Sequence, residues 1–200
     1  MNKIFDKNVP GMTEILQTKC IAIAGCGGLG SNAATSLVRA GIGSLKLADF
    51  DKVEKSNLNR QYFFQTDLGK NKVEALSNHL LNINPLVKIK PYLQELKPDN
   101  LNSFFHDVDL LIEAFDKAES KLFLIEAWCT LNPKKPIIVG SGLSGLGSTS
   151  TLKVEQAGNI YFCGDGKSEL SLGLSAARVA ITANMQANVA IELLVRGTTS

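Results

Sequence analysis

Two hundred residues, 44% of them hydrophobic, are enough for one continuous α/β core, so the chain reads as a single domain over 1–200. Lysine and arginine number 21 against 19 acidic residues, and the net charge of +2 is spread without runs, which gives no case for a nucleic-acid-binding footprint. The most apolar stretch, 172–195, is interrupted by Arg178, Asn184, Gln186, Asn188 and Glu192 and cannot span a bilayer. Asp6 and Pro10 break the N-terminal residues where a signal core would lie, so a cytoplasmic protein without membrane contact is expected.

The chain opens with a short amphipathic helix over 12–16. An apolar strand, 20–24, then runs straight into Gly25-Cys26-Gly27-Gly28-Leu29-Gly30. In this spacing Gly25 permits a tight turn, Gly27 lets the backbone approach a phosphate, and Gly30 lets the next helix, 31–40, pack close to the strand. An anion would sit at that helix's N-terminus, where free N–H groups and the helix dipole favour negative charge. A second strand, 45–48, delivers Asp49-Phe50-Asp51 to its C-terminal edge, the side of an open α/β sheet where ligands bind. Asp49 lies about 20 residues beyond the glycines, where a dinucleotide fold places the acid that bonds a ribose hydroxyl.

The polar loop Ser56-Asn57-Leu58-Asn59-Arg60-Gln61 leads to a helix over 67–81, closed by Asn84-Pro85. Arg60, a rigid fork of donors, and Lys72, a mobile point charge, bracket its start and together suit a triphosphate; both also fit plain surface charges. A third strand over 87–92, a helix over 98–106 and a fourth strand over 108–114 follow. That strand ends in Phe115-Asp116, a second carboxylate at the same sheet edge as Asp49. It fits a Mg²⁺ ion facing phosphates, the N-cap of a helix over 117–131, or both.

A fifth strand, 136–140, opens into the small-residue stretch 141–148, which has room for a thin extended ligand. Segments 149–154 and 159–163 form a hairpin turning at Gln156-Ala157-Gly158, and a long helix over 172–195 closes the chain, packed across the sheet or against a partner. The expected fold is α/β: a doubly wound, mainly parallel sheet with a C-terminal antiparallel hairpin and a long final helix.

Cys20, Cys26, Cys129 and Cys163 show no Cys-x-x-Cys spacing, which argues against a zinc site and for free thiols. Cys129 and Cys163 are the candidate nucleophiles, yet neither has an evident base or cationic neighbour in sequence. His79 and His106 fall in helices away from any cysteine or acid pattern and read as surface or packing residues. A Gly-x-Ser-x-Gly elbow and a Gly-x-x-x-x-Gly-Lys-Ser/Thr loop are both missing.

Six motifs stand in order: Gly25 to Ser31, Arg39-Ala40-Gly41-Ile42-Gly43, Leu47-Ala48-Asp49-Phe50-Asp51, the Ser56 to Gln61 loop, Gly69-Lys70-Asn71-Lys72 and Ile83-Asn84-Pro85. Over about 20–140 the sequence thereby resembles the ThiF/MoeB/HesA adenylyltransferases, bacterial relatives of ubiquitin-activating enzymes. It is most similar to their short, zinc-free ThiF branch of thiamine biosynthesis. The resemblance implies a Rossmann-like fold, ATP and Mg²⁺ as ligands, a homodimer, and a ubiquitin-like sulfur-carrier protein ending in Gly-Gly. The carrier's terminal carboxylate would attack the α-phosphate, giving an acyl-adenylate and pyrophosphate. Carried over by motif, Gly25, Gly27, Gly28, Leu29 and Gly30 cradle the nucleotide and Asp49 holds the ribose. Asn57, Arg60 and Lys72 face the phosphates, Asp116 coordinates magnesium, and Asp51 and Gln61 complete the nucleotide set. Arg60, Lys72 and Asp116 are the catalytic residues so implied.

The sequence departs from that pattern in two places. Its first arginine is Arg39, where relatives often carry an N-terminal arginine that enters the partner subunit's site, leaving Lys3 or Lys7 as substitutes. The usual Asp-x-Thr-Asp-Asn-x-x-x-x-Arg becomes Glu113-Ala114-Phe115-Asp116-Lys117 followed by Lys121. Three rivals stay open. An NAD-dependent oxidoreductase has the glycines and Asp49 but leaves Arg60, Lys72 and Asp116 without a joint role; the others are a non-catalytic scaffold for a ubiquitin-like partner and an adenylating enzyme for another carboxylate.

Overall fold

The computed structural model describes residues 3–197. Strands β1 (Cys20–Ala24), β2 (Ser44–Ala48), β4 (Leu110–Glu113) and β5 (Ile137–Gly140) are buried on both faces, which explains their near-continuous apolar runs. The edge strands β3 (Lys88–Tyr92) and β6 (Lys153–Ala157) instead interleave charged residues, and Pro91 is tolerated because β3 has a neighbour on one side alone. With β7 (Ile160–Gly164) they form one seven-stranded sheet ordered β3-β2-β1-β4-β5-β7-β6. Every pairing is parallel except β6 with β7. The chain steps outward from β1 to β3, then returns to lay β4 on the other side of β1. That reversal opens a crevice at the strands' carboxyl ends.

Helices cover both faces. On one, α1 (Met12–Leu16), α2 (Gly28–Ala40), α3 (Lys72–Ile83) and α6 (Ala176–Arg196) bury Leu37, Leu76 and Leu80 against Ile21, Ile23 and Leu45. On the other, α4 (Pro98–Phe105) and α5 (Ala118–Leu131) bury Leu101, Phe105, Leu124 and Trp128 against Ala22, Leu111 and Ile137. The last helix packs on α2 within the same chain, its Ala183, Ala187 and Ala190 giving the small surface that close helix approach needs. Among the described residues no helix is long and apolar enough to cross a membrane.

Several element boundaries differ from the sequence expectation. The helix expected from 67 begins at Lys72, because the Asp67 carboxylate is committed to the preceding turn, accepting from Phe64 N–H at 2.9 Å and from Lys70 at 3.2 Å. Gly69, at φ 83°, then breaks the path. The same carboxylate lies 2.6 Å from His79 Nε2, so His79 has the acid partner that its sequence neighbourhood did not show. The first hairpin strand lies later than expected, at Lys153–Ala157. Residues Thr149–Thr151 are a short 3-10 turn capped by Ser148, and Gly158, at φ 59°, makes the reversal. Gly173, at φ 73°, holds back the final helix to Ala176. Lys117 occupies the N-cap of α5 and no side chain caps it, so Asp116 does not serve there.

Candidate functional site

A cleft of about 420 Å³ runs along the carboxyl ends of β2, β1, β4 and β5. Its floor is the turn from β1 into α2. Gly25 adopts φ 96°, and a Cβ there would lie 2.8 Å from the Ala114 carbonyl oxygen; a Cβ on Gly30 would collide with the Gly25 carbonyl oxygen. Gly27 caps α2, no side chain satisfies that helix end, and a Cβ on Gly27 would meet nothing nearer than Gln61 Nε2 at 3.7 Å. The first-turn N–H groups, which have no intrahelical acceptors, and the helix dipole therefore meet open space suited to an anion.

Asp49 ties this turn to β2. Its Oδ2 accepts from Cys26 N–H at 2.6 Å and its Oδ1 from Asp51 N–H at 2.8 Å. Burial pushes its carboxyl up, opposed by those two N–H bonds and by Lys72. Asp49 lines the cleft, and each of its oxygens retains capacity to accept a further hydrogen bond. Lys72 opens α3 and is no surface charge. Its side chain is 8% exposed and its Nζ lies 2.7 Å from Oδ2 of Asp51, which is half exposed, while its N–H bonds the Asp51 carbonyl at 2.9 Å.

Arg60 is half-buried, with its stem against Gly28. Its Nη1 donates to the Ser56 carbonyl at 3.1 Å and to Asn59 Oδ1 at 2.8 Å, which leaves the rest of the fork uncommitted. Asn57 does not line the cleft, and neither does Gly30. Asn57 builds the turn instead: its Oδ1 accepts from Glu54 N–H at 3.0 Å, and its carbonyl takes the N–H groups of Arg60 and Gln61 at 3.2 and 2.9 Å. Gln61 does line the cleft, with Oε1 buried and without a hydrogen-bond partner. Asp116 is exposed just beyond the carboxyl end of β4, lines the cleft, and makes no hydrogen bond or ion pair among the described residues.

Some lining residues were not singled out from sequence. Gln94, Glu95 and Leu96 close the β3 side, and their signal is the same rule that marks Asp49: they follow a parallel strand at its carboxyl end. The last residue of β4 is Glu113, 0% exposed, whose two carboxylate oxygens lie 3.0 and 2.7 Å from Lys121 Nζ. Lys121 also donates to the Gly140 carbonyl at 3.0 Å, and Phe115 N–H to Glu113 at 2.6 Å. Burial pushes the Glu113 carboxyl up while Lys121 pulls it back. With its three donors used, Lys121 braces β4 to β5 and has none left for a ligand. The altered motif neighbours seen in the sequence are thus a matched pair. At the far end, Ser141 to Ser144 form the cleft wall with Ser168 and Leu174, and Val179 reaches back to the glycine turn, where a Cβ on Gly28 would lie 2.9 Å from its Cγ1.

The thiols are not activated. Burial pushes Cys163 up to about 12, and raises Cys129 and Cys26 as well, the opposite of what a nucleophilic thiolate needs. Lys7 is exposed, and the side chain of Lys3 lies outside the described atoms. Among the described residues no three His, Cys, Asp or Glu side chains gather as a metal centre. Mg²⁺ bound chiefly through phosphates and water needs no such cluster, and one unpartnered carboxylate, Asp116, fits it. A helix end with free N–H groups, two cationic side chains and a free carboxylate around one cleft are groups whose charges suit a nucleoside phosphate.

The sequence pattern that defines the ThiF family matches residues 3–199. The chain is 35% identical over 149 residues to the adenylyltransferase and sulfurtransferase UBA4 of Lodderomyces elongisporus, covering 74% of this chain and 32% of that protein. It is 37% identical over 134 residues to ubiquitin-like modifier-activating enzyme 5 of Drosophila persimilis, covering 61% of this chain and 35% of that protein. It thus spans about a third of the length of these curated relatives. Among solved structures, the tRNA N6-threonylcarbamoyladenosine dehydratase TcdA of E. coli shares the fold with a TM-score of 0.87 at 20% identity, covering 96% of this chain and 92% of that one. The ATP complex of TcdA aligns with a TM-score of 0.84 at 21% identity, covering 96% and 92%.

Proposed function

The chain belongs to the ThiF family, and from that premise we propose that it adenylates the C-terminal Gly-Gly carboxylate of a ubiquitin-like sulfur-carrier protein, a ThiS-like carrier for thiamine thiazole formation, at the expense of ATP. The observation that carries this is the convergence on one cleft of the uncapped α2 N-terminus, Arg60, the buried Lys72 and the unpartnered Asp116. An oxidoreductase would leave the last three without a task.

The residues divide the work as follows. Gly25 to Gly30 and the α2 amides receive the phosphates, while Asp49, locked by Cys26 and Asp51, accepts from a ribose hydroxyl. Lys72 exchanges its Asp51 partner for a phosphate oxygen, and the uncommitted side of the Arg60 fork takes another. Asp116 would hold Mg²⁺, which when bound would supply positive charge to the phosphates. A carboxylate oxygen of the carrier attacks the α-phosphorus, the new O–P bond forms, the bond to the bridging oxygen breaks, and pyrophosphate leaves with that electron pair. Positioning and charge stabilisation are what such a transfer requires. With Cys163 buried and its thiol raised, the proposal stops at the acyl-adenylate and includes no thioester on this chain.

The test is ATP–pyrophosphate exchange that depends on a purified ThiS-type carrier ending in Gly-Gly. Exchange lost on deleting the two glycines supports the assignment. A stable carrier complex with no exchange would favour a scaffold, and tight NADH binding without ATP binding would revive the oxidoreductase. The proposal includes a homodimer, as the family resemblance implies, which light scattering checks.

A further inference from the structure

The C-terminal half of the cleft is held by a buried ion pair whose hydrogen bonds all go to that half, while the next residue of the same helix, Val179, packs beside Gly28 of the glycine turn. Arg178, in the first turn of α6, is 5% exposed, and its Nη2 lies 2.6 Å from Asp165 Oδ2. Its Nη1 donates to the carbonyl oxygens of Gly147 at 2.8 Å and Ser148 at 3.3 Å, and Nη2 also reaches Thr151 Oγ1 at 3.4 Å. The other Asp165 oxygen accepts the N–H groups of Lys167 and Ser168, both at 2.8 Å, and Ser168 Oγ accepts from Ser144 N–H at 2.9 Å. Backbone bonds from Asp165 N–H to Gly142 and from Gly166 N–H to Ser141, 2.8 and 3.0 Å, lock the two loops together.

One guanidinium therefore fastens three separate segments: 141–151, 165–168 and α6. The first is rich in glycine, with Gly142 and Gly145 both at φ 70°, and such a stretch is costly in entropy to hold in one shape. A planar fork with fixed donors suits several carbonyls and a carboxylate at once, which a lysine does not. Buried ion pairs add little net stability, so their value lies in fixing geometry. The geometry fixed is the cleft wall itself: Ser141, Gly142, Leu143, Ser144 and Ser168 line it. In the sheet order this wall stands three strand spacings from β2 and its Asp49, roughly 14 Å away.

We propose that the Arg178–Asp165 pair is a positioning device for the second substrate: it holds the segment after β5 as a fixed wall along which the carboxyl-terminal tail lies, and leaves nucleotide binding to the β2–β1 end. This rests on the adenylation reading, because it assigns the far wall to the acyl partner.

Arg178→Met, Asp165→Asn and the milder Arg178→Lys test it by three measurements. Hydrogen–deuterium exchange over 141–151 should speed by about tenfold or more in the first two variants, with 20–30 unchanged. The affinity for a fluorescent N-methylanthraniloyl ATP should stay within about twofold of wild type. In pyrophosphate exchange, KM for the ThiS-type carrier should rise by about tenfold while KM for ATP and kcat at saturating carrier hold within about threefold, with Arg178→Lys intermediate. Nucleotide affinity that falls in step with the carrier KM, or a loosened 141–151 with an unchanged carrier KM, overturns the assignment. If wild type binds ATP yet shows no carrier-dependent exchange, the adenylation reading fails instead. Localised loosening without loss of ATP affinity then still supports the positioning of this wall, and loosening of both ends refutes it.

Discussion

At the β2–β1 end of the cleft, charge is left available: Arg60 commits one nitrogen, Lys72 rests on a half-exposed Asp51, and Asp116 has no partner. At the β5–β7 end, charge is consumed internally. Glu113 and Lys121 satisfy each other and Gly140, and Asp165 and Arg178 fasten the glycine-rich loop. The same residue types thus do opposite work in one cleft. Where a charge keeps solvent or a single partner it remains open to a ligand; where its donors are spent on several protein acceptors, as with Lys121 and both terminal nitrogens of Arg178, it sets a shape.

The contrast is broken most severely at the brace between the two ends. Glu113→Ala leaves the partly buried Lys121 ammonium without its counter-ion, and should lower stability by about 3 kcal/mol, the low end for a broken buried pair, read from urea denaturation. Asp116→Ala should do the reverse, leaving the melting temperature in place while pyrophosphate exchange drops about 100-fold, the scale of losing one electrostatic stabiliser. Exchange that survives this substitution removes Asp116 from the site. Lys72→Met should weaken binding of the fluorescent ATP by about tenfold, the worth of a charge-assisted hydrogen bond, with a shallower dependence on salt.

The smallest effect is an acid limb. Against desolvation, hydrogen bonds from Ser168 and Lys167 and the Arg178 guanidinium hold the Asp165 carboxyl at about 2, below its ordinary 3.8. A carboxylate depressed in the folded state contributes fully above its unfolded value, and that contribution fades as pH falls from about 4 toward about 2. Asp165→Asn should flatten this part of the stability–pH curve and leave the neutral region parallel to wild type. Asp67, likewise lowered by Phe64 N–H, His79 and Lys70, supplies an independent limb that should remain.

The two ends also differ in how far sequence revealed them. The lining of the β2–β1 end of the cleft was legible because its signals are local: glycines at fixed spacing after an apolar strand, and acids where strands end. The sheet's parallel core was legible for the same reason. Arg178 and Gln186, by contrast, registered only as interruptions of an apolar run. Their purpose depends on carbonyls far along the chain, Gly147 for one and Glu113 and Ile138 for the other. Asp67 shows the same limit: it sits where a helix should start, and a turn on one side and His79 on the other claim it first.

The sheet is also finite by construction. On β3, Lys88 and Lys90 alternate and Pro91 has no N–H to offer; on β6, Lys153 and Glu155 stand exposed on a strand without burial on either side. Charged and proline-bearing edges resist the docking of further strands. Growth of this sheet from either rim is therefore discouraged, and an extended tail entering the cleft meets turns and helix ends at the strand tips. In the proposed reaction such a tail would pass as a thread, free to leave after activation of its carboxylate, and would not be woven in as an eighth strand.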